Sequence, residues 1–265
     1  MRMVRKRVLL ALAVSASGVF AQTPTPRPKF DAFEVATIKP APSDAQRGRY
    51  ITMQGTNRFV EKSYTLKLLI AAAYDLNPHV ISGGAEWVDS EHFDITALTP
   101  GDVRPTRDEQ MGMVRKLLTD RFQLAFHRES REFSIYVLEV AKGGAKLKDT
   151  AKPDDIPALI NVVYPERIKL PARNVTMGDF ASMLQRAVLD RPVVDKTGLT
   201  GRYDFDLEWA QDESQFNGEV ASAAADANAA PLFTAIQQQL GLRLVATKGP
   251  VDALVVDKAE RPSAN

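Results

Sequence analysis

The 265-residue chain contains no cysteine. Disulfides, thiolate nucleophiles, cysteine-ligated zinc and acylation at a lipoprotein cysteine are therefore all excluded. Histidine is scarce: His79, His92 and His127 are the only three, and no two of them have the i, i+4 spacing of a helical zinc pair. There is no Gly-x-Ser-x-Gly, and Ser63 and Lys67 are one residue too far apart for Ser-x-x-Lys. Charge of one sign is also missing. The formal net charge is +1, so the surface has no general attraction for nucleic acid or anionic lipid.

Beyond the first residues there is no apolar run near the ~20 residues a membrane helix needs. The start itself, MRMVRKRVLLALAVSASGVFAQ, has the form of a secretory leader. Arg2, Arg5, Lys6 and Arg7 precede a short apolar stretch, and Val19-Phe20-Ala21 fits a small-residue cleavage site. The expectation is a signal peptide over 1–21, export to the periplasm or the exterior, and no membrane insertion after cleavage.

Residues 22–32 (QTPTPRPKFDA) read as a proline-rich linker. A first strand is expected at Phe33–Ile38, ended by Lys39-Pro40. A hairpin is expected around Gly55-Thr56-Asn57. A helix–strand–strand order then recurs four times in two pairs, starting near Thr65 and near Thr176. Helices are expected at 65–74, 106–120, 176–189 and 231–240. Strands are expected at Val80-Ile81, 93–97, 122–127, 133–141, 192–194, 203–209, 242–246 and 253–257. The near-continuous apolar run 133–141 predicts burial on both faces. Thr176 with Asp179 has the spacing of a capping box. Tyr203, Phe205, Leu207 and Trp209 alternate with Asp204, Asp206 and Glu208, as in a half-buried strand.

These observations predict an α+β fold of two duplicated lobes, at 33–145 and 171–265, with helices packed on mainly antiparallel sheets. The connection 146–170 is charged and proline-containing, and 211–230 is alanine-rich and acidic. Both read as mobile loops with too little apolar surface to order themselves.

The run Asp195-Lys196-Thr197-Gly198 resembles the phosphorylated aspartate motif of ion pumps. Leu199 stands where the second pump threonine would be, and no later Gly-Asp-Gly element supplies carboxylates for Mg²⁺. The residues suit a turn better. Asp195 can accept the N–H two residues on, and Gly198 and Gly201 can take positive φ. Gly83-Gly84-Ala85-Glu86-Trp87-Val88-Asp89 stands at the same place in the first half. Gly143-Gly144 reads as a turn, and Trp87 and Trp209 as core anchors. The row Asp204, Asp206, Glu208 matches no calcium loop and reads as a solvated strand face.

The ordered stretches Phe-Glu-Val-Ala-Thr-Ile-Lys-Pro (33–40), Thr-Leu-Lys-Leu-Leu-Ile-Ala-Ala-Ala-Tyr (65–74), Gly-Gly-Ala-Glu-Trp-Val (83–88) and Leu-Leu-Thr-Asp-Arg-Phe-Gln-Leu (117–124) together resemble a family of exported soil-associated bacterial proteins. So do Arg-Pro-Val-Val-Asp-Lys-Thr-Gly-Leu-Thr-Gly-Arg-Tyr-Asp-Phe (191–205) and Gln-Gln-Leu-Gly-Leu-Arg-Leu (238–244). The resemblance covers about 33–265. It implies a domain of unknown function with no assigned catalytic residue, in some relatives fused to a membrane metallopeptidase of the β-lactam-sensor type. The motif positions it singles out are Trp87, Phe93, Asp94, Arg121, Phe122, Arg191, Pro192, Asp195, Thr197, Gly198, Gly201, Tyr203 and Asp204.

The reading that follows is a non-catalytic extracytoplasmic binding or sensing module with no cofactor. Its partner would be an envelope protein or a small ligand, met in a cleft between lobes or at an open sheet edge. The alternative is a secreted hydrolase built on His92 with Asp94 or Asp204.

Overall fold

The computed structural model describes residues 27–41, 48–164, 167–212, 215–216 and 229–262. The expected leader, the first part of the linker and most of the 211–230 stretch lie outside these residues. The fold is mixed α+β, as the periodicities predict, with helices set against mainly antiparallel sheets.

The first sheet holds β1 (Val35–Ala41), β2 (Tyr50–Gln54), β3 (Arg58–Thr65) and β5 (His92–Leu98) in the order β1-β5-β3-β2. β1 runs on through Lys39-Pro40-Ala41 instead of stopping at the proline. It is an edge strand, where a missing N–H donor costs little. The hairpin β2–β3 turns at Gly55, with φ +67°.

A second sheet holds β7 (Lys148–Asp149), β12 (Tyr203–Trp209), β10 (Ile168–Val175) and β8 (Ala158–Leu159), with β9 (Val162–Val163) also on β10. Three short strands thus come from the connection expected to be mobile. Backbone pairing supplies what the composition lacks, and Asn174 fastens the loop by donating from Nδ2 to the carbonyls of Pro153 and Asp155.

The largest departure from expectation joins the halves. The strands expected at 122–127 and 133–141 merge into one, β6 (Ala125–Val140), with Phe122 instead ending a helix, and those expected at 242–246 and 253–257 merge into β13 (Leu242–Lys258). The two pair antiparallel along almost their whole length. Pro250 is accommodated opposite Glu132, because β4 (Ile81–Gly83) pairs with β13 only at Leu254–Val256. β11 (Val193–Asp195) pairs in parallel with β6 at Tyr136–Leu138. In the predicted two-sided run only Ile135, Leu138 and Ala141 are buried, because the ribbon leaves much of its surface open.

Two cores result. One gathers α1 (Leu66–Tyr74), α2 (Trp87–Ser90), α3 (Arg107–Phe122) and the first sheet, with Ala253, Leu254 and Val256 from β13. The other gathers α4 (Met177–Met183), α5 (Leu232–Ala235) and the second sheet, with Leu138 and Leu242 from the ribbon. α4 and α5 each pass into a π-helical turn, at Leu184–Val188 and Ile236–Leu240. Thr65, Thr106 and Thr176 cap α1, α3 and α4, and the last two close full capping boxes with Glu109 and Asp179.

Candidate functional site

The residues of the hydrolase alternative are divided between two sheets. His92 and Asp94 both point outward from β5, while Asp204 lies on β12 in the other sheet. His92 Nδ1 sits 3.2 Å from the Ser90 carbonyl. His79 contacts Asn77, and His127 pairs with Asp257 across the ribbon at 2.8 Å. Among the described residues, no group of three or more His, Asp or Glu could hold a metal.

Two of the three motif aspartates, Asp94 and Asp204, share one backbone role. Between Glu61 and Tyr64 the β3–β5 register slips by one, so Lys62 and Ser63 bulge opposite Asp94. Ser63 has φ +60°, and its N–H donates to Asp94 Oδ1 at 3.1 Å. Between Ala172 and Val175 the β10–β12 register slips in the same way, opposite Asp204. Asn174 has φ +55°, and its N–H donates to Asp204 Oδ1 at 2.8 Å. That bond, first among the causes, holds the Asp204 carboxyl below the usual aspartate range. A bulge leaves one residue unpaired and bends its strand. Here each bend delivers the chain, two residues later, to a helix-capping threonine, Thr65 or Thr176.

The other motif positions are structural in the same sense. Trp87, Phe93 and Phe122 form an edge-to-face series in the first core, with centroids 6.3 and 5.3 Å apart. Arg121 reaches the Ala36 carbonyl, Arg191 lies over the Tyr136 ring, and the Pro192 carbonyl accepts Tyr136 N–H. Asp195 Oδ1 accepts Thr197 N–H at 2.9 Å, and Thr197 Oγ1 accepts Leu199 N–H at 3.2 Å. The Asp-Lys-Thr-Gly run is thus an Asx turn, joining strands of different sheets. Gly198 has φ +69° as expected. Gly201 does not; its lack of a side chain makes room for Tyr203, whose hydroxyl would lie 2.7 Å from a Cβ there. Trp209 is fully buried and donates to Gln215 at 2.8 Å, so Gln215 and the neighbouring buried Phe216 belong to the second core.

The surface that stands out is the hairpin before β10. β8 and β9 keep a single register with β10, Leu159 opposite Ala172 and Val163 opposite Ile168. They are one edge strand, 158–163, interrupted where that register puts Ile160 against Pro171, which has no N–H to give. The hairpin closes through Tyr164 N–H donating to the Arg167 carbonyl. Leu159 packs on the second core and Asn161 touches Met183, so the inner row is anchored. The outer row is Ile160, Val162 and Tyr164, with 62%, 37% and 44% of their surfaces exposed. Ile156 and Val163 extend the apolar surface. Beside it runs a charged row in which Lys169 pairs with Glu208 at 2.6 Å and Arg173 with Asp206 at 2.9 Å. Sequence reasoning missed this edge because four prolines and several charges between 153 and 171 hide its alternation.

No helix among the described residues is long and apolar enough to cross a membrane. No curated protein and no solved structure matches the chain. A family model described as a protein of unknown function matches residues 67–259, most of both halves, and the chain accordingly belongs to the DUF3738 family.

Proposed function

We propose that this is an exported, non-catalytic binding module that captures an extended segment of a partner polypeptide as an added strand on the 158–163 edge. The observation that carries the reading is that edge's outer row. Sheet edges are normally guarded by charge, proline or a cover, because their free N–H and C=O groups pair with any available strand. This one presents Ile160, Val162 and Tyr164 to solvent. Exposed apolar groups in contiguity mark interaction surfaces, and backbone pairing with alternate side-chain contacts is how strand addition gives affinity and specificity. The N-terminal leader pattern supports export, and the repeated order of elements, with a bulge in each half, supports two copies of one unit. The aspartates of the hydrolase alternative already hold backbone N–H groups.

Selection from a displayed library of random 12-residue peptides tests the reading. Extended peptides with apolar residues at alternate positions are expected, and Ile160→Thr with Val162→Gln should abolish their binding while leaving the fold intact. Peptides that bind the variant equally well would overturn the reading. So would an edge-dependent dimer of the chain itself, since the edge would then serve its own copies.

A further inference from the structure

A second site lies where the halves meet, and it is independent of the sheet edge. α1 ends at Asp75, in the left-handed region with φ +53°. Arg107, at the start of α3, donates to Asp75 Oδ1 at 2.6 Å and to the Ala72 carbonyl at 3.1 Å. From the other half, the π-helical turn after α4 brings in Gln185 and Arg186. Gln185 donates to the Asp75 carbonyl at 2.5 Å and accepts Val193 N–H at 3.1 Å. Asn77 donates to the carbonyls of Gln185 and Leu189. In this frame one buried side-chain atom lacks a hydrogen-bond partner among the described residues.

That atom belongs to Arg186. Its side chain is only 18% exposed, and its nearest carboxylate oxygen, Asp75 Oδ1, is 3.5 Å from Nε. Arg107 already occupies that oxygen at 2.6 Å. Arg186 Nε is shielded from solvent and has no hydrogen-bond partner among the described residues. Burial, and after it repulsion from Arg107, pushes the Arg186 pKa down to about 10. A guanidinium has five donors, and one buried without acceptors is costly. Among the described residues the 3.5 Å contact with Asp75, whose oxygen Arg107 already holds, offsets only part of that cost. π-helical turns, which depart from the regular ladder, recur at functional sites.

Arg186 also lines a cavity of about 30 Å³, together with Arg49, Tyr64, Leu68, Ala72 and Ala187. Arg49 lies over the Tyr64 ring, 5.2 Å from its centroid. Among the described residues the lining therefore holds two guanidiniums and a phenol, and no acidic side chain. The volume admits a head group of a few atoms, not a whole metabolite.

We infer that this junction is a binding site for an oxyanion head group, a carboxylate or a tetrahedral phosphate or sulfate, held by the fork of Arg186 in the cavity that Arg49 also lines. A planar guanidinium matches such groups with paired N–H donors. Because Arg186 and Arg49 reach the cavity from opposite halves, an occupant fastens one half to the other.

The test is calorimetric melting of the full chain in inorganic phosphate, sulfate or acetate, against chloride at matched ionic strength. At least one oxyanion should raise Tm by about 3 °C or more at tenfold excess over its Kd, and chloride should not. A larger shift with phosphate or sulfate assigns a tetrahedral head group; a larger shift with acetate assigns a carboxylate. Arg186→Met should abolish the shift, yet melt no lower than wild type in chloride, because an apolar side chain of similar length removes a buried charge whose 3.5 Å carboxylate contact is already shared with Arg107. Arg186→Lys keeps the charge without the fork and should weaken the shift at least by half. The inference is overturned if no oxyanion exceeds chloride or if Arg186→Met keeps the shift. If Arg186→Met does not fold, an undiminished shift in Arg186→Lys overturns it.

Discussion

The hairpin β2–β3 and the hairpin that leads into β10 have similar surroundings. Each lies beside a strand carrying a motif aspartate, bulges opposite that aspartate, and feeds a threonine-capped helix. They differ at two points. The outer row of β2 is Tyr50, Thr52 and Gln54, whereas the corresponding row of the second hairpin is Ile160, Val162 and Tyr164. On the inner side, the last residue before the bulge is Glu61 in one and Ala172 in the other, both fully buried. Where the backbone device is shared, the residues serve folding. Where the hairpins diverge, the cause must be sought in what each half does.

Glu61 shows how costly such a divergence is. Its Oε1 accepts Tyr64 N–H at 2.9 Å, but Oε2 is buried without a partner. Desolvation, with a smaller contribution from Asp94, raises its pKa to about 9. Below about pH 4.5 the folded and unfolded chains are both protonated there. As pH rises toward 9 the unfolded chain ionises while the folded one keeps its proton, so stability falls over that window. At pH 7 the cost is about 3 kcal/mol, at about 1.4 kcal/mol per pH unit above 4.5.

Transplanting that residue gives the largest expected effect. Ala172→Glu should destabilise the second half by about 4 kcal/mol at pH 7, through crowding and a buried acid, measured as a lowered urea midpoint. A neutral result would mean the two bulge sites are not equivalent. The reverse change is next. Glu61→Gln keeps the acceptor for Tyr64 and removes the proton requirement. It should stabilise by about 3 kcal/mol at pH 7 and by nothing at pH 4, read from urea midpoints across pH. A gain that does not vary with pH would show that Glu61 is not protonated in the fold.

The loops after β4 and β11 supply a smaller contrast. Gly84 N–H donates to the Val256 carbonyl and Lys196 N–H to that of Leu138, each fixing a crossing strand to the ribbon. In the first half the backbones touch, and a Cβ on Gly83 would lie 2.6 Å from Val256 O. In the second, Gly198 faces open space. Gly83→Ala should therefore cost about 2–3 kcal/mol, combining φ strain with the clash, and Gly198→Ala about 1 kcal/mol, from φ alone. Equal costs by chemical denaturation would erase the distinction. Smallest of all, Ile160→Thr with Val162→Gln, which gives the second edge the character of the first, should change stability by less than about 0.5 kcal/mol while abolishing peptide capture.

Much of the scaffold is legible in the chain because its signals are local. Thr106 with Glu109 and Thr176 with Asp179 announce helix starts, Gly55 marks a hairpin, and Tyr203–Trp209 alternates cleanly. The β6–β13 ribbon is not legible, because its pairing joins residues up to 133 positions apart and a Lys-Gly-Pro run interrupts the pattern. The bulges also escape, since an aspartate 30 residues from the N–H it accepts leaves no spacing to detect. Glu61 reads as the polar member of an alternating strand, and only the fold shows that its face is the core. Arg186 likewise looks like an ordinary helix arginine until the π turn and the neighbouring half enclose it.

The most direct measurement of strand capture is amide hydrogen exchange across residues 158–163, with and without a selected peptide. Docking on the open edge predicts that outward amides there slow by at least tenfold when the peptide binds, with no comparable change along β2. Protection that falls on β2, or anywhere other than this edge, would contradict it.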